Sequence, residues 1–239
     1  MIPTEKIFIL GTPFHPLTVE ETLATMEGFL GTEENHIIVT PNPEGVMQAR
    51  RNPDFAQAIH HAALSLADGI GILLAAKLKR LKLPGRVRGV DITLALFERL
   101  ATQGATLYLL GAAPGVAQRA KENIQSRYPH MKVLGYHHGF FEDDTPIVAD
   151  INALSPDIVV VGTGMPRQEL WATKNRHINA RITLCVGGTI DILAGEVQLA
   201  PPLMRRLGLE WLYRLLTQPS RARRMLDLPR FVLAVLLSK

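Results

Sequence analysis

The 239-residue chain is predicted to be α/β, with a Rossmann-like, mainly parallel sheet, helices on both faces and a C-terminal helical appendage. Three observations predict this. From Thr106 onward, short apolar runs alternate with helical patterns in a repeated strand–loop–helix rhythm. Ile158–Val161 and Ile182–Val186 are almost continuously apolar, as strands covered on both faces must be. After Leu199-Ala-Pro-Pro202 the alternation stops and a Leu-, Trp- and Arg-rich tail begins, so residues 1–200 are expected to form one domain and 201–239 an appendage.

Lys6–Leu10 is expected to be a strand. Thr18-Val-Glu-Glu21 has capping-box spacing and opens a helix to about Leu30. His36–Thr40 is a strand, followed by Pro41-Asn-Pro43 and a helix over Glu44–Arg51. Asn52-Pro53 starts a further helix that ends near Ala63. Leu64–Ala67 is a strand running straight into Asp68-Gly-Ile-Gly71, and a helix covers about Ile72–Leu81. After Leu83-Pro-Gly-Arg86 a helix runs from Asp91 to about Gln103. Strands are then expected at Thr106–Leu110, Lys132–Tyr136, Asp157–Val161 and Ile182–Val186. The helices between and after them are Gly115–Arg127, Thr145–Leu154, Arg167–His177 and Ile190–Ala194. The tail reads as a pair of amphipathic helices.

Composition narrows the class. With 47% hydrophobic and 20% charged residues the chain can bury a substantial core. Its single cysteine, Cys185, excludes an internal disulfide framework and fits a reducing compartment. The apolar run around Cys185 points to a buried structural thiol. The N-terminus lacks the basic region and long apolar stretch of a signal peptide. The apolar run Phe231–Leu237 is far short of the roughly 20 residues needed to span a bilayer. The expected location is therefore cytoplasmic, and the chain can lie on a membrane but should not cross one. From Pro201 onward there are eight basic and two acidic residues, a net of +6, against +4 for the whole chain. A near-neutral body with a basic amphipathic tail suggests docking on an anionic surface, whether membrane phosphates, nucleic acid or an acidic partner.

In open parallel sheets ligands bind at the carboxyl ends of the strands. The segments there are Thr40-Pro-Asn42, Asp68-Gly69, Gly111–Pro114, Tyr136–Gly139, Gly162-Thr-Gly164 and Gly187–Asp191, and all but the first contain glycine. Glycine lets backbone N–H groups approach an anion, and the following helix adds its positive end. Several such loops on one edge point to a phosphorylated ligand, with a nucleotide as the candidate and Gly111, Gly162, Gly164, Gly187 and Gly188 as its contacts. Glycines also end strands for steric reasons alone. Neither a full Gly-x-Gly-x-x-Gly nor a Gly-x-x-x-x-Gly-Lys-Ser/Thr loop occurs, which disfavours a dinucleotide dehydrogenase or an ATPase.

Individual side chains carry two readings each. Asp68, directly after an apolar strand, is a general base or a helix N-cap. Arg86 and Arg88 can face one side of an extended segment and grip phosphate, or form a solvated loop. Gln168 and Glu169 sit in a first helical turn, suited to sugar hydroxyls or to solvent, and Trp171 belongs to the core. Asp191 suits ribose hydroxyls or a helix cap. Tyr136 can stack on a nucleobase or pack in the core. No Asp-x-Asp, His-x-x-x-His or Cys-x-x-Cys occurs, and His60-His61 and His137-His138 are adjacent rather than on one helical face. No metal and no cofactor are expected, so arginines and helix dipoles must stabilise any departing diphosphate.

Together the ordered pieces Thr40–Pro43, Ala67–Gly71, Arg86–Asp91, Gly162–Glu169, Gly187–Asp191, Ala194-Gly195, Arg205–Arg214 and Pro219–Arg221 resemble the WecG/TagA/CpsF family of bacterial glycosyltransferases. The resemblance spans most of the chain. It implies an inverting, metal-independent transfer of a sugar from a UDP-sugar to a sugar on a polyprenyl diphosphate lipid, in the synthesis of cell-surface polysaccharides such as wall teichoic acid and exopolysaccharide. N-acetylmannosamine is the first candidate, with UDP-glucose or UDP-N-acetylmannosaminuronate as alternative donors. It implies Asp68 as the base, Thr40, Asn42 and Gln168 as substrate-binding residues, and Arg206, Arg214, Arg221 and Arg224 as the tail residues that dock on the anionic membrane and close the site. Some members of that family self-associate, so a homo-oligomer is a possible assembly. The rival readings are an NAD-dependent oxidoreductase, a non-catalytic nucleic-acid binder and a membrane-docking scaffold. Because the strands lack interleaved aromatic and basic residues, no nucleic-acid partner is expected.

Overall fold

The computed structural model describes residues 5–218 and 225–238. Its centre is a six-stranded sheet in which every pairing is parallel. The first two strands form a separate antiparallel hairpin, β1 (Ile7–Ile9) and β2 (Thr12–Phe14). The sheet itself contains β3 (His36–Val39), β4 (Leu64–Ser65), β5 (Thr106–Gly111), β6 (Lys132–His137), β7 (Ile158–Gly162) and β8 (Ile182–Cys185), in the order β4-β3-β8-β7-β5-β6. The chain builds outward from β3 to β4, restarts at β5 and β6, then returns to fill the middle with β7 and β8.

Alternation along the strands explains the layers. Ile38, Leu107, Leu109, Ile158, Val160 and Leu184 face one side. There they pack against α1 (Val19–Leu30), α5 (Gly89–Leu100), α6 (Val116–Arg127) and α9 (Thr189–Leu193). Their neighbours Val39, Tyr108, Leu110, Val159, Val161 and Cys185 face the other side. That side is covered by α3 (Pro53–His61), α7 (Thr145–Leu154) and α8 (Arg167–Lys174). A side chain is needed on both faces, which is why these strands have no polar face at all. Trp171 and Cys185 are buried in the second layer, and the thiol is free.

Local signals operate as expected at α1, where Thr18 and Glu21 form a reciprocal capping box. Lys6–Leu10 does form a strand, but outside the main sheet. Its partner strand contains Pro13, which hides it from pattern reading. Glycines end β5 and β7 for steric reasons. A Cβ on Gly111 would lie 2.5 Å from the backbone of Gly162, and one on Gly162 would lie 2.6 Å from the carbonyl oxygen of Gly187.

A third apolar cluster lies beside β4. It joins Ile9 and Phe14 of the hairpin, Val46 and Met47 of α2 (Pro43–Ala49), and Ile72 and Ala75 of α4 (Ile70–Leu78) to the tail residues Phe231 and Val235. The tail contains three described helices rather than two: α10 (Pro202–Arg206), α11 (Glu210–Thr217) and α12 (Asp227–Leu237). Phe231 and Val235 of α12 are 2% and 3% exposed. Their burial contributes roughly 1.5–3 kcal/mol each. At the start of α12, Asp227 accepts two hydrogen bonds from Arg51, at 3.0 and 2.6 Å, and that guanidinium holds its carboxyl below the usual range. The tail's last helix is thus packed on the body. No described helix is long and apolar enough to cross a membrane.

Candidate active site

A cavity of about 500 Å³ opens at the carboxyl ends of β3, β4, β7 and β8, roofed by α10 to α12. Each wall comes from a strand tip and the turn after it. β3 delivers Thr40, whose hydroxyl donates to the carbonyl of Cys185 at 3.3 Å, and Asn42, whose side chain caps α2 by accepting from the N–H of Gly45 at 2.9 Å. Asn42 therefore lines the cavity while holding the first turn of α2.

Asp68 follows β4. It does not cap α4: the N-cap is Gly69, at φ 91°, and no side chain bonds to that helix end. A left-handed φ at this point suits glycine, and it leaves the carboxylate directed at the cavity. By surface area Asp68 is only half-buried, yet protein surrounds it, as befits the floor of a cavity. Burial pushes its carboxyl up to about 6. Arg214 pulls against that shift, Glu210 adds to it, and the N–H of Gly89 and the charge of Arg88 pull it back further. A carboxylate so poised takes up a proton near neutral pH.

The arginines come from an extended segment tied to β4's continuation, with the N–H of Val87 bonded to the carbonyl of Ala67 at 2.8 Å. Val87 is buried, so Arg86 and Arg88 project together into the cavity. Arg88 forms ion pairs with Asp91 and Glu210, and Arg86 lies 3.7 Å from Glu210. Arg214, from α11, completes the positive lining.

From β7 and β8 come Gly164, Gln168, Gly187 and Gly188. Gln168 is 2% exposed and its amide is held at both ends. The oxygen accepts from the N–H of Gly187 at 2.9 Å, and the nitrogen donates to Glu169 at 2.7 Å. Glu169 is 1% exposed and does not line the cavity. It lies behind Gln168, where burial pushes its carboxyl up to about 7. The folded state therefore retains this proton to higher pH than the unfolded chain, and stability falls as pH rises from about 4.5 towards 7. Asp68 contributes a similar fall below about 6. Glu169→Gln is expected to remove the part of the decline above pH 6, seen as a flatter melting temperature between pH 6 and 8. An unchanged slope would show that Glu169 does not titrate there.

The cavity brings together Thr40, Asn42, Asp68, Arg86, Arg88, Gly164, Gln168, Gly187, Gly188 and Arg214. Gly111, Tyr136, Gly162, Asp191 and Arg206 do not line it. Gly111 and Gly162 carry the steric role described above. Tyr136 is 41% exposed on the edge strand β6, with the Lys121 ammonium 5.6 Å from its ring centre. Asp191 lies in the first turn of α9, near Gly188. Arg206 is exposed, whereas its neighbour Arg205 faces the site. Arg221 and Arg224 lie outside the described residues. Sequence reading missed Arg205, Glu210 and Trp211 as lining residues. The available signals were the four-residue spacing of Glu210 and Arg214 and the place of Arg205–Arg214 among the pieces that carry the family resemblance.

Comparison with known proteins supplies the family. The profile of the glycosyl transferase WecG/TagA/CpsF family matches residues 7–239. The chain is 35% identical over 209 residues to the N-acetylglucosaminyldiphosphoundecaprenol N-acetyl-beta-D-mannosaminyltransferase of Bacillus spizizenii, covering 87% of this chain and 81% of that protein. It is 34% identical to the enzyme of the same name from Bacillus subtilis over 84% and 78% of the two chains. Against that of Staphylococcus aureus it is 30% identical over 99% and 94%. A strand-tip carboxylate under a roof of arginines, and a match that runs from the first strand to the last helix, make this chain a glycosyltransferase of the WecG/TagA/CpsF family.

Proposed function

We propose that the protein transfers N-acetylmannosamine, with inversion, from UDP-N-acetylmannosamine to N-acetylglucosamine carried on a polyprenyl diphosphate. The observation that carries the chemistry is Asp68, a carboxyl raised to about 6 that faces a cavity shared with Arg86, Arg88 and Arg214. Asp68 takes the proton of the acceptor hydroxyl. That oxygen attacks the anomeric carbon from the face opposite UDP, the bond to the diphosphate oxygen breaks, and UDP leaves with the electron pair. The arginines stabilise the charge developing on the diphosphate. Gln168, fixed at both ends, and Thr40 offer polar contacts for the sugar hydroxyls or acetamido group. The activity for which the relatives are named supports this donor and acceptor over glucose or a uronic acid.

Residues 1–200 hold the catalytic groups apart from those of the tail, and residues 201–239 serve as the docking appendage. The tail exposes Leu203, Leu207, Leu216, Leu233, Leu236 and Leu237 beside its arginines. Apolar area plus basic charge, worth about 1 kcal/mol per residue near anionic lipid, suits the membrane surface where a lipid-linked acceptor resides. A panel of radiolabelled UDP-sugars, offered to the full chain with a short-chain lipid-diphosphate-N-acetylglucosamine acceptor, tests the chemistry, and sedimentation with vesicles tests the docking. Transfer from UDP-N-acetylmannosamine is expected, with the full chain bound to vesicles that contain anionic lipid and not to neutral ones. Preferential transfer from UDP-glucose or UDP-N-acetylmannosaminuronate would correct the donor, and no transfer from any would overturn the reading.

A further inference from the structure

Helix α11 presents opposite charges one turn apart on the same face, Glu210 and Arg214. Glu210 forms an ion pair with Arg88 and lies 3.7 Å from Arg86. Those arginines are tied in turn to other elements, Arg88 to Asp91 of α5 and Arg86 to the backbone carbonyl of Arg205, which itself lies 3.9 Å from Asp91. The network therefore joins the body loop to α5, α10 and α11. No residue of α11 is fully buried and Leu212, Tyr213 and Leu215 are half-buried, so polar contacts share with apolar packing in setting the helix's rotation. Four residues beyond Glu210, Arg214 lines the cavity and its charge acts on Asp68.

We propose that Glu210 is a positioning residue, whose carboxylate, seated against Arg86 and Arg88, fixes α11 so that Arg214 faces Asp68. The clamp is reciprocal: an acidic group of the tail pairs with the body's arginines, and a basic group of the tail lends its charge to the body's carboxylate. It rests on the assignment of Asp68 as base and names the residue that assembles the site around it.

The groups acting on Asp68 give a test with a sign. They are Arg214 and Glu210 of α11, Arg88, and the N–H of Gly89. Arg86, Arg205 and Glu44 also line the cavity. Glu210→Gln keeps the side chain's size and removes its charge. Loss of that charge by itself lowers the pKa of Asp68. Release of Arg214 raises it, and Arg214 is the stronger influence. Positioning therefore predicts that the acid limb of kcat/KM moves to higher pH in Glu210→Gln, with turnover at pH 7 reduced roughly 5- to 100-fold. The double variant Glu210→Gln/Arg214→Ala is expected to be no slower than Arg214→Ala alone, because one effect acts through the other. An acid limb that stays or moves down, or losses that multiply in the double variant, would overturn the proposal. Glu210→Asp, which keeps the charge on a shorter stem, should show a smaller shift in the same direction. A shift opposite in sign would count against the clamp. Failure of the underlying assignment is distinguishable, since Asp68→Asn would then retain the wild-type acid limb.

Discussion

Asp68→Asn is expected to lower turnover by roughly 10²–10⁴-fold while leaving UDP affinity nearly unchanged. The asparagine oxygen can still accept from the N–H of Gly89, so the cavity floor keeps its shape. What is lost is the ability to take the acceptor's proton. In the wild type the rate should rise as pH passes upward through about 6, because the base must be deprotonated, and this limb should vanish in the variant. The same substitution should stabilise the fold. Asp68 holds its proton to about 6 when folded, against 3.8 as its ordinary value. Between those values the folded state binds more protons, so stability falls as pH rises, and above about 6 the full penalty applies. Asparagine carries no such penalty. The variant's melting temperature should exceed that of the wild type at pH 7–8 by the equivalent of about 1–3 kcal/mol, with the gap closing near pH 4. Steady-state kinetics, UDP calorimetry and thermal melts across pH check the three parts. Unchanged turnover removes Asp68 from the base role. Lost turnover without the gain in stability would mean the carboxyl titrates lower than its burial implies.

The parts of this molecule legible in its sequence are those where one local requirement dominates. β7 and β8 have no polar face because both sides are covered, and a continuous apolar run states this directly. Asp68 stands out because a carboxylate between a buried strand and two glycines has little reason to be there for packing. Arg86 and Arg88 alternate about a buried Val87, so two-residue spacing sufficed. Lys6–Leu10 was readable as a strand, but its hairpin partner escaped because β2 is three residues long and carries Pro13. Within the first turn of α8, periodicity could not separate Gln168, which reaches the cavity, from Glu169, which backs it. The tail was hardest. Its charge count marked it as basic, yet Glu210 entered that count only as an offset. Its importance depends on which body residues face α11, and nothing local to residues 201–218 encodes that. The same limit applies to Arg205 and Arg206, adjacent residues of like chemistry that the helix turns to opposite environments.

Arg88→Ala is the other substitution with a large expected consequence, because the residue serves several partners at once. Its guanidinium pairs with Asp91 and Glu210, lowers the pKa of Asp68, and faces the space where a diphosphate would gain charge. Removing it leaves Asp91 and Glu210 with only the more distant Arg205 and Arg86, at 3.9 and 3.7 Å. A leaving diphosphate would then develop its charge in a field less positive than before. Loss of one such stabilising group typically costs about 10²–10³ in kcat. The acid limb of the rate should also move to higher pH, since a cation that favoured the ionised form of Asp68 is gone. Arg88→Lys separates charge from shape. Lysine keeps the positive charge but cannot hold Asp91 and Glu210 with one planar fork, so it should restore the acid limb while recovering only part of kcat. If Arg88→Ala instead lost less than about threefold in kcat, with its acid limb unmoved, the diphosphate would have to gain its charge elsewhere in the cavity. The remaining candidates would then be Arg86, Arg205 and Arg214, which line the same space.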